Sequence, residues 1–81
     1  MIEAQIRRML ADVTGDSRPL DAPSDTPLLR DGLGLDSLGA TVLLTRVQAE
    51  FGVDVAADDL NLDALTSIRA LADFVTQRVI Q

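Results

Sequence analysis

The chain has 81 residues, 47% of them apolar, with 7 basic residues, all Arg, against 13 acidic ones, and no His, Cys, Trp or Tyr. Without imidazole, thiol or Lys amine, the chain is excluded from His- or Cys-based nucleophilic catalysis, Schiff-base chemistry and zinc or iron-sulfur ligation. The net charge of −6 repels nucleic acid and anionic headgroups and favours partners that present Lys or Arg.

The length allows a single domain over 1–81. Such a domain buries roughly 60% of the surface its unfolded chain exposes, enough for a modest core and too little for a deep substrate cleft as well. A hydrolase built on paired carboxylates is therefore disfavoured. No apolar stretch nears the ~20 residues of a membrane span, and Met1 to Val13 alternates charge with apolar residues where a signal peptide is continuously apolar. The expectation is a cytoplasmic monomer with no membrane span.

In chain order, Ile2, Ile6, Met9, Leu10 and Val13 recur on one face of a first helix, which Gly15 stops. Residues 15 to 36 hold all three prolines, Gly15, Gly32, Gly34 and five Asp, an irregular connection of unusual length. Leu20, Leu28, Leu29, Leu33 and Leu35 are its expected apolar anchors, and Asp25-Thr26-Pro27 is a candidate start for a short helical turn. A second helix is predicted over 36–51, with Asp36 as N-cap and Gly52 just past its end. At about 100° per residue, Ala40, Leu43, Leu44, Val47 and Phe51 share one arc, while Leu38, Val42, Thr45, Arg46 and Ala49 lie opposite. The first set is more apolar and is assigned inward. Leu38 and Val42 then form an outward apolar stripe suited to a partner protein, unless neighbours and the long loop cover this helix on both sides. Residues 54 to 63 suffice for one or two helical turns. A last helix starts at Thr66 or Ser67 and buries Ile68, Leu71, Ala72, Val75 and Val79. The fold class is all-α: three main helices and one short one, with a long loop between the first and second.

Hydroxyls and carboxylates are the remaining reactive groups, and Ser37 has the most unusual setting. It follows Asp31-Gly32-Leu33-Gly34-Leu35-Asp36 and falls in the first turn of the second helix, where free N–H groups and the helix dipole favour a phosphate. A phosphodiester on its oxygen suits that place. A lone nucleophile does not, because neither His nor Lys is present to take its proton. Asp36-Ser37 is also an ordinary helix-start signal. Between Arg46 and Arg69 lie five acids, Glu50, Asp54, Asp58, Asp59 and Asp63, with no basic residue. They read as a solubilising surface or, as a cluster, as a patch that steers basic partners. They lack the alternating ligands and central Gly of an EF-hand calcium loop.

Gly34-Leu35-Asp36-Ser37-Leu38, then Phe51-Gly52-Val53, Thr66-Ser67-Ile68 and Leu71-Ala72, resemble the acyl carrier protein family over residues 30 to 79. The resemblance implies an acyl-carrier-like helical bundle that catalyses nothing itself. It implies that a phosphopantetheinyl transferase joins 4′-phosphopantetheine from coenzyme A to Ser37. The resulting arm supplies the thiol this chain lacks and holds intermediates as thioesters. Asp36 would orient Ser37 and face the transferase's metal and basic groups. Leu38, Val42, Thr45, Arg46, Ala49 and Glu50, with Asp58 and Asp59, would form the docking surface. Acyl-loading, condensing and tailoring enzymes are the further partners implied.

The outward face of the second helix is poorer in acids than in fatty-acid carriers. Gly-Leu-Asp-Ser-Leu looks more like a polyketide carrier than a peptidyl one, so polyketide or related specialised metabolism, antibiotic production included, is expected. Peptidyl, aminoacyl and fatty-acid carriers remain alternatives. So does an unmodified helical adaptor that binds through Leu38 and Val42. The start at Met1 and the short tail after Val79 favour a stand-alone protein, although a domain cut from a larger synthase can have the same ends.

Overall fold

The apolar spacing of the first segment produces α1 (Ile2–Thr14). Ile6, Met9 and Leu10 are buried, and Ile2 and Val13 pack partly against the same core. Gly15 ends the helix at φ 69°, where its N–H and that of Asp16 both reach the Ala11 carbonyl, at 2.9 and 3.2 Å. An L side chain rarely adopts that left-handed conformation, so glycine is the natural stop. The computed structural model describes residues 2–29, 32–55 and 63–80. Among these, all regular structure is helical and no strand is present.

The connection after α1 departs from expectation in two ways. Its helical turn is α2 (Arg18–Asp21), with Pro19 in the first turn and buried. Pro27 heads no helix; the chain turns one step earlier, through a Thr26 N–H to Pro23 carbonyl bond of 3.0 Å. A one-turn helix has no stability of its own, and the burial of Pro19 holds this one in place. Of the five expected anchors, Leu28, Leu33 and Leu35 are buried, whereas Leu20 and Leu29 are 47% and 41% exposed. Each exposed leucine is the sequence neighbour of a buried residue, Pro19 or Leu28, and neighbours on a turn or extended segment point in different directions.

Arg7 ties this connection to α1. Its guanidinium donates to the carbonyls of Pro19 (3.0 Å) and Ala22 (2.6 Å) and to Ser24 Oγ (3.2 Å), and it pairs with Glu3 at 3.3 Å. Further along, Leu33 and Leu35 donate backbone N–H groups to the carbonyls of Pro27 and Leu28, and Gly32 and Gly34 donate theirs to Leu29. This brings residues 32–35 back against residues 27–29. Gly32 is required there, because a Cβ would lie 2.0 Å from the Pro27 carbonyl oxygen.

The second long helix, α3 (Ser37–Phe51), has the expected ends. Asp36 caps it, and Gly52 follows it at φ 71°, donating to the Gln48 carbonyl. Leu43 and Val47 are buried, with Ala40, Leu44 and Phe51 partly buried against the core. After α3, Val53 and Val55 are buried. The short helix expected over 54–63 lies mostly outside the described residues, which resume at Asp63 with a single 3-10 turn, Asp63–Leu65.

The last helix, α4 (Ile68–Ile80), starts just past the expected Thr66 or Ser67, because Ser67 serves as its cap. Ser67 Oγ accepts the Ala70 N–H at 3.0 Å, while the Ile68 and Arg69 N–H groups donate to the Thr26 and Ser24 carbonyls at 3.1 and 2.8 Å. The start of α4 is thus sealed against the connection that Arg7 holds. Ile68, Leu71, Ala72 and Val75 are buried, but Val79 is 45% exposed. The apolar stripe of α4 therefore leaves the core after Val75, one turn sooner than its periodicity implied.

Candidate functional site

Ser37 is the first residue of α3 and is exposed. Its position follows from its neighbours. Leu35 is buried and anchors the approach, Gly34 turns the chain at φ 78°, and Asp36 adopts the extended conformation of an N-cap. Asp36 Oδ1 accepts the Gly39 N–H at 2.7 Å, and the Asp36 carbonyl accepts the Ala40 N–H at 2.9 Å. Gly39 suits this tight start, since a Cβ there would lie 3.2 Å from both Asp36 Oδ1 and Leu35 Cδ2. The Ser37 and Leu38 N–H groups have no partner among the described residues and stay available at the positive end of the helix dipole.

The four serines of the chain differ in what their hydroxyls do. Ser24 is engaged by Arg7 and Glu3, and Ser67 caps α4. Ser17 precedes the one-turn α2 without making a side-chain cap. The Ser37 hydroxyl has no hydrogen bond among the described residues. Ser37 alone combines an open hydroxyl with the first turn of a 15-residue helix. A phosphodiester fits these residues: Ser37 is exposed, and two N–H groups beside it have no partner among the described residues.

The outward face of α3 lies where the periodicity placed it. Leu38 is 73% and Val42 43% exposed, so neighbouring elements do not cover it on both sides, and Thr41, Thr45, Arg46, Ala49 and Glu50 are exposed as well. Thr41 Oγ1 donates to the Ser37 carbonyl and Thr45 Oγ1 to the Thr41 carbonyl, each at 2.9 Å. Arg46 pairs with Asp12 of α1 at 3.2 Å. This link and the threonine bonds were not legible in the sequence, because a helical wheel shows which way a residue faces and not what it bonds. Arg46 and Glu50 line a shallow groove with Gln5, Arg8, Met9 and Asp12 of α1. Asp58 and Asp59, the other two expected members of this surface, lie outside the described residues. No group of acidic side chains among the described residues is arranged to hold a metal ion, and none of the helices there is long and apolar enough to cross a membrane.

Comparisons with known proteins concern the chain as a whole. The family model described as "Phosphopantetheine attachment site" matches residues 4–75. A curated relative, a mycocerosic acid synthase-like polyketide synthase of Mycobacterium tuberculosis (strain ATCC 25618 / H37Rv), is 35% identical over 75 residues, which cover 93% of this chain. The chain spans only 3% of that relative's length. No solved structure matches significantly. A helical domain matched along nearly its whole length by the phosphopantetheine-attachment model, and similar to a segment of a polyketide synthase, belongs to the acyl carrier protein family, whose prosthetic group is 4′-phosphopantetheine.

Proposed function

We propose that Ser37 is the attachment residue, and that residues 1–81 act as one carrier unit that presents acyl intermediates to the enzymes of a polyketide or related specialised pathway without catalysing a step. The observation that carries this reading is the open Ser37 hydroxyl in the first turn of α3, beside two free N–H groups. When attached, the group supplies a thiol on a flexible arm, able to hold an acyl chain as a thioester, in a chain with no cysteine. The residues here have simpler work. Asp36 fixes the first turn through its bond to Gly39, Leu35 pins the approach in the core, and the Ser37 and Leu38 N–H groups would be available to hold the phosphate. The base that takes the Ser37 proton must belong to the transferase, because this chain has neither His nor Lys and the Asp36 carboxylate is engaged in the cap. Similarity to a polyketide synthase supports the choice of pathway over fatty-acid or peptide synthesis.

The test is intact mass after incubation with coenzyme A, Mg²⁺ and a broad-specificity phosphopantetheinyl transferase. Wild type and Ser17→Ala should each gain one phosphopantetheine, and Ser37→Ala none. Unchanged labelling of Ser37→Ala would refute the assignment. Val42→Asp should weaken transfer to or from loading and condensing enzymes with helical content unchanged.

A further inference from the structure

Glycine is a poor residue for the first turn of a long helix, because it loses more conformational freedom on folding than any other residue. Gly15, Gly34 and Gly52 answer to a positive φ, and Gly32 to a backbone too close for any Cβ. Gly39 has neither reason. It lies within α3 on helical backbone that any L residue adopts, and three side chains bound the space its Cβ would fill. Asp36 Oδ1 and Leu35 Cδ2 would each lie 3.2 Å away, and Val13 Cγ1, from the end of α1, 3.8 Å. The first two contacts are closer than non-bonded atoms such as these ordinarily pack, and neither neighbour is free to retreat. Asp36 Oδ1 holds the Gly39 N–H itself at 2.7 Å. Leu35 is buried, 6% exposed, in a core with little empty space to take it. These are also the two groups that place Ser37: the bond from Asp36 to Gly39 closes around Ser37 and Leu38, and Leu35 fixes the chain where it enters the helix.

We propose that Gly39 is a positioning residue for the modification of Ser37: its missing side chain lets Asp36 and Leu35 close on one turn, and that turn holds the serine as the transferase needs it. The inference rests on Ser37 being the attachment residue. A methyl group at 39 presses on both restraints at once, so relief by either route moves the Ser37 backbone that they bracket. Group transfer is sensitive to such movement, since about 1 Å of misplacement can cost roughly a hundredfold. A smaller displacement should cost several-fold. The space at Gly39 faces Leu35, Asp36 and Val13, away from the outward stripe of Leu38 and Val42. The loss therefore belongs in turnover and not in docking.

Gly39→Ala in the full chain gives the test, read in two ways. At a position that accepts the side chain, Gly to Ala raises the Tm of a domain of this length by about 2–6 °C. Here thermal circular dichroism should show a gain of about 1 °C at most. In an Asp36→Ala background, where one of the two obstacles is gone, the same substitution should gain at least about 2 °C, the non-additivity expected of residues in contact. The second reading is time-resolved intact mass with coenzyme A, Mg²⁺ and the transferase. Gly39→Ala should lower kcat about fivefold and leave KM within about twofold. A purely structural role would do the opposite, since a smaller folded fraction raises the apparent KM and spares kcat. An equal gain of 2–6 °C in both backgrounds would overturn the contact on which the proposal stands. Unchanged kcat, with or without a rise in KM, would overturn the positioning role. Wild type gaining no mass at all would be a different failure, removing Ser37 as the attachment residue and this role with it, whatever the Tm values.

Discussion

Asp36 has two candidate roles, holding the helix and meeting the transferase, and a pair of substitutions separates them. In Asp36→Ala the Gly39 N–H loses the oxygen that accepts it at 2.7 Å. Loss of an N-cap oxygen to Ala costs about 1 kcal/mol, within a range of roughly 0.5–2. Unfolding entropy of about 2.1 cal/mol/K per residue gives about 170 cal/mol/K for a domain of this length, so 1 kcal/mol corresponds to about 6 °C in Tm. Asn ranks with Asp as an N-cap, and Asp36→Asn should stay within about 2 °C of wild type by thermal circular dichroism. If Asp36 is only a cap, Asn should also restore the modification rate. If its charge meets the transferase, Asn should restore Tm and leave the rate low. A Tm for Asp36→Ala within 1 °C of wild type, or an Asn variant as unstable as Ala, would refute the capping argument.

Two further predictions concern the frame behind the site. Arg7→Ala removes the donors to the Pro19 and Ala22 carbonyls and to Ser24 Oγ. With charge-assisted bonds worth roughly 1.5–3 kcal/mol each when made and the freed carbonyls regaining some water, a net loss of about 2–3 kcal/mol is expected. Arg7→Lys should recover less than half, since one ammonium cannot span the fork; denaturant unfolding checks both. Asp16 accepts the Arg18 backbone N–H and pairs with its guanidinium, which together hold its carboxyl below the ordinary 3.8. A depressed carboxyl stabilises the fold above its unfolded pKa and ceases to do so as pH falls through its folded one. The Tm gap between wild type and Asp16→Asn, open at pH 7, should therefore close as pH drops below 3.8.

What the sequence made legible was whatever depends on neighbours in the chain. The caps at Asp36 and Gly52 and the two faces of α3 need only the 3.6-residue period and local side-chain chemistry. The proposal of Ser37 rests on a short motif together with that local reading. Features set by distant contacts escaped. The one-turn α2 exists because Pro19 is buried, and nothing in Arg18-Pro19-Leu20-Asp21 distinguishes it from Pro27 and its neighbours. Arg7 looked like one more charge beside an apolar stripe, because the carbonyls it holds are 12 and 15 residues away. Leu20, Leu29 and Val79 carried the right chemistry for a core and the wrong place in it.

The starts of α3 and α4 show how the fold leaves one site open. Each helix exposes N–H groups in its first turn that must be satisfied by protein or water. At α4 the chain supplies the Thr26 and Ser24 carbonyls and the Ser67 hydroxyl for Ile68, Arg69 and Ala70. That end is closed, and its serine is spent on the closure. At α3 Asp36 takes the Gly39 N–H alone, the Ser37 and Leu38 N–H groups have no partner among the described residues, and the serine hydroxyl is free. Arg7 makes the difference possible, because the same connection it pins to α1 provides the carbonyls that close α4. Weakening that connection should loosen the bundle without altering the chemistry available at Ser37. Arg7 variants should therefore lose stability while keeping, below their Tm, the wild-type rate of modification; a rate that fell in the folded protein would show that the connection also shapes the open end of α3.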